Sequence, residues 1–263
     1  MASREECLKA LDEAVSKLNQ LSEEIRGRVY SIALFGSLVR GDFEDCFSDV
    51  DLFCVLNWPS LASGGWSEFA EAARPIEMVF QEAFGQLPQP RERGGLLDFV
   101  LVPKGDLPLE GTDVELSPEV DYFVFKYLGV YSFELPLWRI VYGEDFRPKL
   151  RKVDWRSLIP VMADFMAKRI LRVEEPRMLV GIAVHSIRLA QVWFGEPTLD
   201  KRVALRNFHR LVPEFPLKGL ADRIWGMGRR AALVTKEECE SIPIREFVLQ
   251  VTDLIRREDS SRR

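Results

Sequence analysis

The sequence has few of the residues from which histidine metal sites and disulfide frameworks are built. Histidine occurs only twice, at His185 and His209, which argues against a histidine-based metal site. The four cysteines show no C-x-x-C spacing, and neither a signal peptide nor a long apolar run is evident. We therefore expect a cytoplasmic protein outside the membrane, whose cysteines are small buried hydrophobic residues. These are Cys7, Cys46, Cys54 and Cys239.

The sequence also lacks an excess of positive charge. Its formal net charge is −5, whereas a protein that grips a nucleic-acid backbone usually carries a basic stripe. A large nucleic-acid substrate is therefore disfavoured. With 263 residues, of which 47% are hydrophobic and 29% are charged, the chain has the size and balance of a globular protein with one large or two modest domains.

The most informative stretch, Ala33 to Leu56, has the sequence A-L-F-G-S-L-V-R-G-D-F-E-D-C-F-S-D-V-D-L-F-C-V-L. The β-branched and aromatic segment from Val29 to Phe35 predicts a strand that ends at a Gly-Ser pair. Gly36 lets the backbone approach a ligand closely, and amide groups at the start of a following helix attract phosphate. Ser37 adds a hydroxyl, and Arg40 adds a permanent positive charge suited to phosphate oxygens. This half of the stretch therefore predicts contacts to a nucleotide.

Two aspartates, Asp49 and Asp51, open the next strand-like segment. Residues two apart in a strand project from the same face, so both carboxylates should lie side by side. Like charges at that separation repel, and a divalent cation is their natural occupant. Mg²⁺ binds one or two carboxylates together with substrate phosphates, and two such ions about 3.5 to 4 Å apart can clamp the attacking and leaving oxygens of a displacement.

The two halves together form the pattern G-S-x-x-R-G followed by S-D-x-D-L. This pattern resembles the signature of the DNA polymerase β-type nucleotidyltransferase superfamily, and is most similar to that of small stand-alone members such as the kanamycin and lincosamide nucleotidyltransferases. The resemblance implies an α+β fold, in which a small mixed β-sheet with flanking helices is followed by an all-α helical bundle. The alternative is a strand-turn-strand whose aspartates are merely solvated.

A third carboxylate, Asp98, lies within the apolar run L-L-D-F-V-L-V. An unpaired carboxylate in a buried strand is costly, so we expect it to have a partner or a metal. The superfamily's third metal-associated carboxylate follows the D-x-D strand on another strand, and the resemblance assigns that place to Asp98. The alternative is an outward-facing aspartate on an edge strand. Glu77 is the competing acid, although its segment is predicted to be helical.

A polar, irregular stretch from residue 103 to 117 indicates the domain boundary. We predict a nucleotidyltransferase domain at residues 1–112 and a helical substrate-binding domain at residues 117–256. The charged residues 257–263 are predicted to be a disordered tail.

Apolar periodicity predicts the helices around the sheet. A helix from Glu5 to Ile25 should cover one face of the sheet. Trp66 to Phe84 is predicted as a helix that is broken or bent at Pro75. Pro118 to Tyr131 and Glu134 to Tyr142 are predicted as the first helices of the second domain.

Transfer to a hydroxyl requires a group that accepts its proton. Asp164 and Lys168 lie four residues apart, hence on one helical face. In kanamycin nucleotidyltransferase a Glu and a Lys at this spacing serve as general base and phosphate contact, and the resemblance assigns these roles to Asp164 and Lys168. The present chain has the shorter Asp at the first position. An ordinary surface ion pair, which contributes about 0.2 to 0.5 kcal/mol, is the alternative, and Glu134 is the alternative base.

The resemblance implies a Mg²⁺-dependent enzyme, with two ions, that moves a nucleoside monophosphate from ATP or another NTP onto a hydroxyl of a small molecule and releases pyrophosphate. Aminoglycosides and lincosamides are the expected acceptors, and antibiotic resistance is the expected role. A homodimer is carried over from the related enzymes. The alternatives are an antitoxin-type enzyme that AMPylates a protein and a catalytically silent nucleotide-binding module. The assigned residues are catalytic Asp49, Asp51, Asp98 and Asp164, the first three as metal ligands, and nucleotide-binding Gly36, Ser37, Arg40 and Lys168.

Overall fold

The structure, a computed structural model, describes residues 2–44, 48–62, 64–89 and 95–262. It divides into two compact units, of which the first ends at Val153 and the second runs from Asp154. The division therefore lies later in the chain than the predicted boundary at residues 112–117.

The first unit is built on a mixed four-stranded sheet. Its strands are β1 Val29–Phe35, β2 Val50–Leu56, β3 Leu97–Pro103 and β4 Arg139–Gly143, in the order β3-β2-β1-β4. β1 pairs antiparallel with β2 and with β4, whereas β2 pairs parallel with β3. The parallel pairing places the beginnings of β2 and β3 side by side at one end of the sheet.

Helices flank the sheet of the first unit, as expected for the α+β fold that the resemblance implies. They are α1 Arg4–Leu18, α2 Glu23–Gly27, α3 Ser37–Arg40, α4 Trp66–Gly85 and α5 Tyr122–Val124, the last continued by a π-helix Phe125–Val130, with short 3-10 helices at Lys104–Asp106, Ser132–Leu137 and Arg147–Lys149. The predicted helix Glu5 to Ile25 is thus two helices, because Ser22 starts α2 by accepting a hydrogen bond from the Ile25 amide. α4 continues through Pro75, where a break or bend was predicted.

The two faces of the sheet bury different parts of the chain. Alternate residues of a strand point to opposite faces, so Leu52 packs in one core with the apolar sides of α1 and α4, whereas Phe53 packs in another. The second core draws its covering side chains from late in the first unit: Leu107, Val124, Leu128, Trp138, Phe146 and Leu150. This burial explains why the chain as far as Val153 belongs to the first unit.

The segment that covers the second face also differs from the predicted secondary structure. The region predicted as a helix from Glu134 to Tyr142 forms a 3-10 helix and then β4. Pro136 lies inside the 3-10 helix, and the β-branched pair Ile140 and Val141 suits a strand that pairs with β1. Pairing with β1 therefore overrides the helical pattern here.

The second unit consists of helices joined by loops over the residues from 154 to 262 that the structure describes. Its helices are α6 Trp155–Ile170, α7 Pro176–Phe194, α8 Lys201–Leu211, α9 Ala221–Arg229, α10 Lys236–Glu240 and α11 Ile244–Arg262, with 3-10 helices at Lys218–Leu220 and Ala231–Leu233. α7 packs against α6, α8, α9 and α11. The predicted disordered tail, 257–263, is instead helical as far as Arg262. The ion pair of Arg257 with Asp253, 2.6 Å long and one turn apart, supports this last part of α11.

Two expectations about apolar groups can be compared with these helices and cores. Cys7, Cys54 and Cys239 are buried, as predicted, and Cys46 lies outside the described residues. Across the described ranges, no helix combines the length and the apolar character needed to cross a membrane.

The burial of Phe146 gives a direct test of where the first unit ends. This residue is fully buried and its ring stacks on Phe53 with 6.1 Å between centroids. Phe146→Ala should lower the free energy of unfolding of the first unit by about 3 to 5 kcal/mol, because it leaves a cavity under the sheet. Leu137→Ala, at a position 50% exposed, is the control and should change it by less than about 0.5 kcal/mol. Denaturant unfolding measures both, and equal effects would contradict the assignment.

Candidate active site

Three carboxylates meet at the beginnings of β2 and β3. Asp51 and Asp98 are register partners in the parallel pair, and Asp49 precedes Asp51 by two residues. One oxygen from each carboxylate lies within 4.8 Å of the other two. Asp49 and Asp51 are half-buried, whereas Asp98 is exposed. We call these three residues the acidic cluster.

The acidic cluster has the donor chemistry of a site for a hard divalent cation. All three donors are carboxylate oxygens, which Mg²⁺ prefers, and their mutual repulsion is relieved when such an ion binds. Glu77, the competing acid, lies on α4, which packs on the opposite face of the sheet, and accepts a hydrogen bond from Gln81. Asp98 is thus the third acid that the fold brings to Asp49 and Asp51.

Gly36, at the end of β1, is required by the position of Asp51. Its φ of 76° lies in the left-handed region, which disfavours other residues. A Cβ at this position would also lie only 2.7 Å from Cγ of Asp51 and would overlap its Oδ2. We predicted that Gly36 allows the backbone to approach a ligand closely. In the structure, the group that approaches Gly36 closely is the carboxylate of Asp51.

Ser37 follows directly and begins α3. The residue is fully buried, and among the described residues its hydroxyl has no hydrogen-bond partner. An unsatisfied buried hydroxyl costs about 1 to 3 kcal/mol. A ligand oxygen that reached this hydroxyl would recover that cost, which fits the predicted phosphate contact.

Arg40 lies in a buried network of charged side chains. It donates from Nη1 to Glu134 over 2.8 Å and from Nε to Asp42 over 3.1 Å. Burial alone would lower its pKa, but the negative charges of Glu134, Asp42 and Asp51 raise it above its ordinary value. Arg40, which was predicted to bind phosphate, is therefore paired with Glu134, the alternative base.

Sequence reasoning missed Lys126 and Tyr127, which the π-helix brings to the cluster. Tyr127 packs edge-on against Phe35, 4.8 Å between ring centroids, and accepts a hydrogen bond from Nζ of Lys126 over 3.0 Å. Burial raises the pKa of Tyr127 well above its ordinary value, and the charges of Asp51 and Asp98 raise it further. Its hydroxyl therefore keeps its proton beside the cluster. No linear pattern signals this contact, although π-helical turns are frequent at functional sites.

The remaining predicted residues, Asp164 and Lys168, lie on α6 in the second unit. Asp164 is half-exposed and pairs with Arg256 of α11 at 3.3 Å. Lys168 is exposed one turn further along α6. Their roles as base and phosphate contact remain predictions.

An acidic cluster beside a Gly-Ser turn, on a mixed sheet, is the arrangement expected of a nucleotidyltransferase domain. Residues 11–129 match the family model described as "Nucleotidyltransferase domain". The chain thus carries a nucleotidyltransferase domain, which confirms the predicted resemblance and the prediction of an enzyme of this class.

The fold is also similar to a solved structure. Spectinomycin adenyltransferase AAD(9) from Enterococcus faecialis, crystallised with ATP and spectinomycin, superposes with a TM-score of 0.55 at 13% sequence identity. The match covers 93% of this chain and 98% of that one, so it includes the helical second unit and confirms the predicted fold class. No curated protein matches the sequence significantly.

The contact between Gly36 and Asp51 makes a prediction about metal binding. Gly36→Ala should weaken Mn²⁺ affinity about ten- to a hundredfold, because the new methyl group displaces the Asp51 carboxylate. Isothermal titration calorimetry measures this affinity without any substrate. Gly27→Ala is the control, since a Cβ at Gly27 meets open space. Unchanged affinity in the Gly36 variant would show that Asp51 is not a ligand held by this glycine.

Proposed function

We propose that the protein is a Mg²⁺-dependent adenylyltransferase, which moves AMP from ATP onto a hydroxyl of a small molecule and releases pyrophosphate. The observation that carries the proposal is the acidic cluster, set on adjacent strands beside Gly36 and Ser37. The nucleotidyltransferase family match and the similarity to the fold of an ATP-dependent spectinomycin adenyltransferase support it.

In this proposal Asp49, Asp51 and Asp98 hold the metal, which neutralises negative charge on the triphosphate when bound. The buried Ser37 hydroxyl donates to a phosphate oxygen, and Gly36 leaves room for the Asp51 carboxylate. The acceptor oxygen forms a bond to the α-phosphorus, the bond from that phosphorus to the β-phosphate oxygen breaks, and pyrophosphate leaves. Catalysis of this kind depends on positioning and charge, and few side chains suffice.

We propose that Asp164 is the general base that accepts the proton of the acceptor hydroxyl. Of the two acids named as bases, Glu134 is 6% exposed and bound to Arg40, so its carboxylate already has a structural partner. Asp164 is half-exposed, and Lys168, which we propose as the phosphate contact, lies one turn away on the same helical face. A base must reach its proton, and exposure favours Asp164.

The acceptor class follows from charge and from similarity. A net charge of −5 favours a cationic small molecule over a polyanion. Spectinomycin, found in the similar structure, belongs to the aminoglycoside-like antibiotics, so we propose an acceptor of that class and a role in antibiotic resistance. Lincosamides remain the second acceptor class, and a homodimer remains a prediction.

Measuring pyrophosphate release with Mg²⁺ tests the proposal. Each NTP is tested in turn with a panel of aminoglycosides and lincosamides, and ATP with a hydroxylated cationic antibiotic should be turned over. Labelled AMP recovered on a protein would overturn the small-molecule acceptor in favour of protein AMPylation. Nucleotide binding without transfer to any acceptor would favour the silent binding module.

Removing one charge from the cluster should abolish transfer. Asp49→Asn and Asp51→Asn should each lower kcat/KM by at least about a hundredfold, since metal and phosphates lose a ligand. The fold should survive, because the amide removes a repulsion; thermal unfolding checks this. Asp113→Asn, at an exposed position of the same unit, is the control. Retained activity in the cluster variants would contradict the metal assignment.

The base assignment predicts a split between turnover and affinity. Asp164→Asn should lower kcat about a hundredfold or more while KM for ATP changes little. Asp253→Asn provides a matched control, because Asp253 contacts the same Arg256 as Asp164. A kcat equal to that of the control would remove Asp164 from the mechanism.

A further inference from the structure

The network around Arg40 joins parts of the first unit that lie far apart in sequence. Arg40 ends α3, and its partner Glu134 lies 94 residues later in the 3-10 helix that precedes β4. The side chains of Arg40, Asp42 and Glu134 are only 9%, 0% and 7% exposed. The guanidinium is therefore enclosed, with a carboxylate on each of two sides.

Such a network resists rearrangement. Breaking a buried ion pair is strongly destabilising, because both charges have already lost their hydration. If Arg40 turned toward a phosphate, it would break its hydrogen bonds to both Glu134 and Asp42. These two bonds favour the present orientation of the guanidinium, in which its charge also acts on Asp51.

The network holds the turn that carries the predicted nucleotide contacts. α3 is a single helical turn, too short to be stable alone. The amides of Arg40 and Gly41 donate to the carbonyls of Gly36 and Ser37 over 3.2 and 3.0 Å. The Arg40 side chain ties the end of this turn to Glu134, and so keeps Ser37 and Gly36 beside the cluster.

The other end of this tie is equally fixed. The 3-10 helix Ser132–Leu137 leads directly into Trp138, which is buried and stacks on Phe35 with 4.8 Å between ring centroids. Phe35 is the register partner of Asp51. Glu134 is therefore anchored to β1, whose last residue lies opposite Asp51 on β2.

We infer that Arg40 is a positioning residue, which holds the turn from Gly36 to Gly41 against the acidic cluster, and that Glu134 is its anchor. This assignment replaces the phosphate contact predicted for Arg40 and the base role considered for Glu134. It depends on the proposed function only where transfer is measured.

Hydrogen exchange at the turn tests the inference without any substrate. Arg40→Met and Glu134→Gln should each speed exchange of the Arg40 and Gly41 amides at least about tenfold. The double variant should exchange no faster than Arg40→Met, because both changes remove one interaction. Arg40→Lys should fall between, since an ammonium cannot reproduce the two-sided fork. Arg28→Met, which removes a half-buried arginine paired with the exposed Glu24, is the control and should leave both amides unchanged.

Kinetics with ATP and an active acceptor supplies the second measurement. A positioning role predicts that both single variants lower kcat, with the same rank order as in exchange. One outcome would overturn the inference in favour of a phosphate contact. In it, Arg40→Met exchanges normally but has a tenfold higher KM for ATP, while Glu134→Gln changes neither exchange nor kinetics. Glu134→Gln with normal exchange and lost turnover would overturn it in favour of a base. If the wild type transfers nothing, the exchange cycle still decides the inference, while the proposed function fails.

Discussion

The Asp51 carboxylate occupies the space where any side chain on Gly36 would begin, and this contact sets the geometry of the candidate site. It places the Asp51 side chain directly against the backbone that follows β1. Asp98 then takes its place through the parallel register with Asp51, and Ser37 through its bond to Gly36. The rest of the first unit keeps β1, β2, β3 and the Gly36-Ser37 turn in this arrangement.

The two faces of the sheet have different roles in the first unit. The face covered by α1 and α4 is an apolar core, and it supplies stability without touching the carboxylates. The other face carries the cluster at its edge and an aromatic core behind it, in which Phe35, Phe53 and Trp138 contact one another. The charged groups on this face therefore lie in front of large, mutually packed rings.

The predictable part of this protein was local in sequence. Gly36, Ser37, Asp49 and Asp51 fall within one short stretch whose spacing predicts how they are arranged, and the resemblance to the superfamily assigned the third carboxylate to Asp98. The segment from Glu134 to Tyr142 was wrongly predicted as a helix, because β4 within it is decided by pairing with β1, far away in the chain. The partnership of Arg40 with Glu134 was hidden for the same reason, since residue type alone favoured phosphate for one and proton transfer for the other.

The position of β4 also bears on how the chain folds. Ser31 of β1 pairs with Gly143 of β4, so one edge of the sheet stays unpaired until more than half of the chain is available. Closing so long a loop costs entropy before any contact repays it, and topologies of this kind fold slowly. An open strand edge is a template for pairing between chains. During synthesis, the first unit is therefore most exposed to aggregation in the interval between β1 and β4.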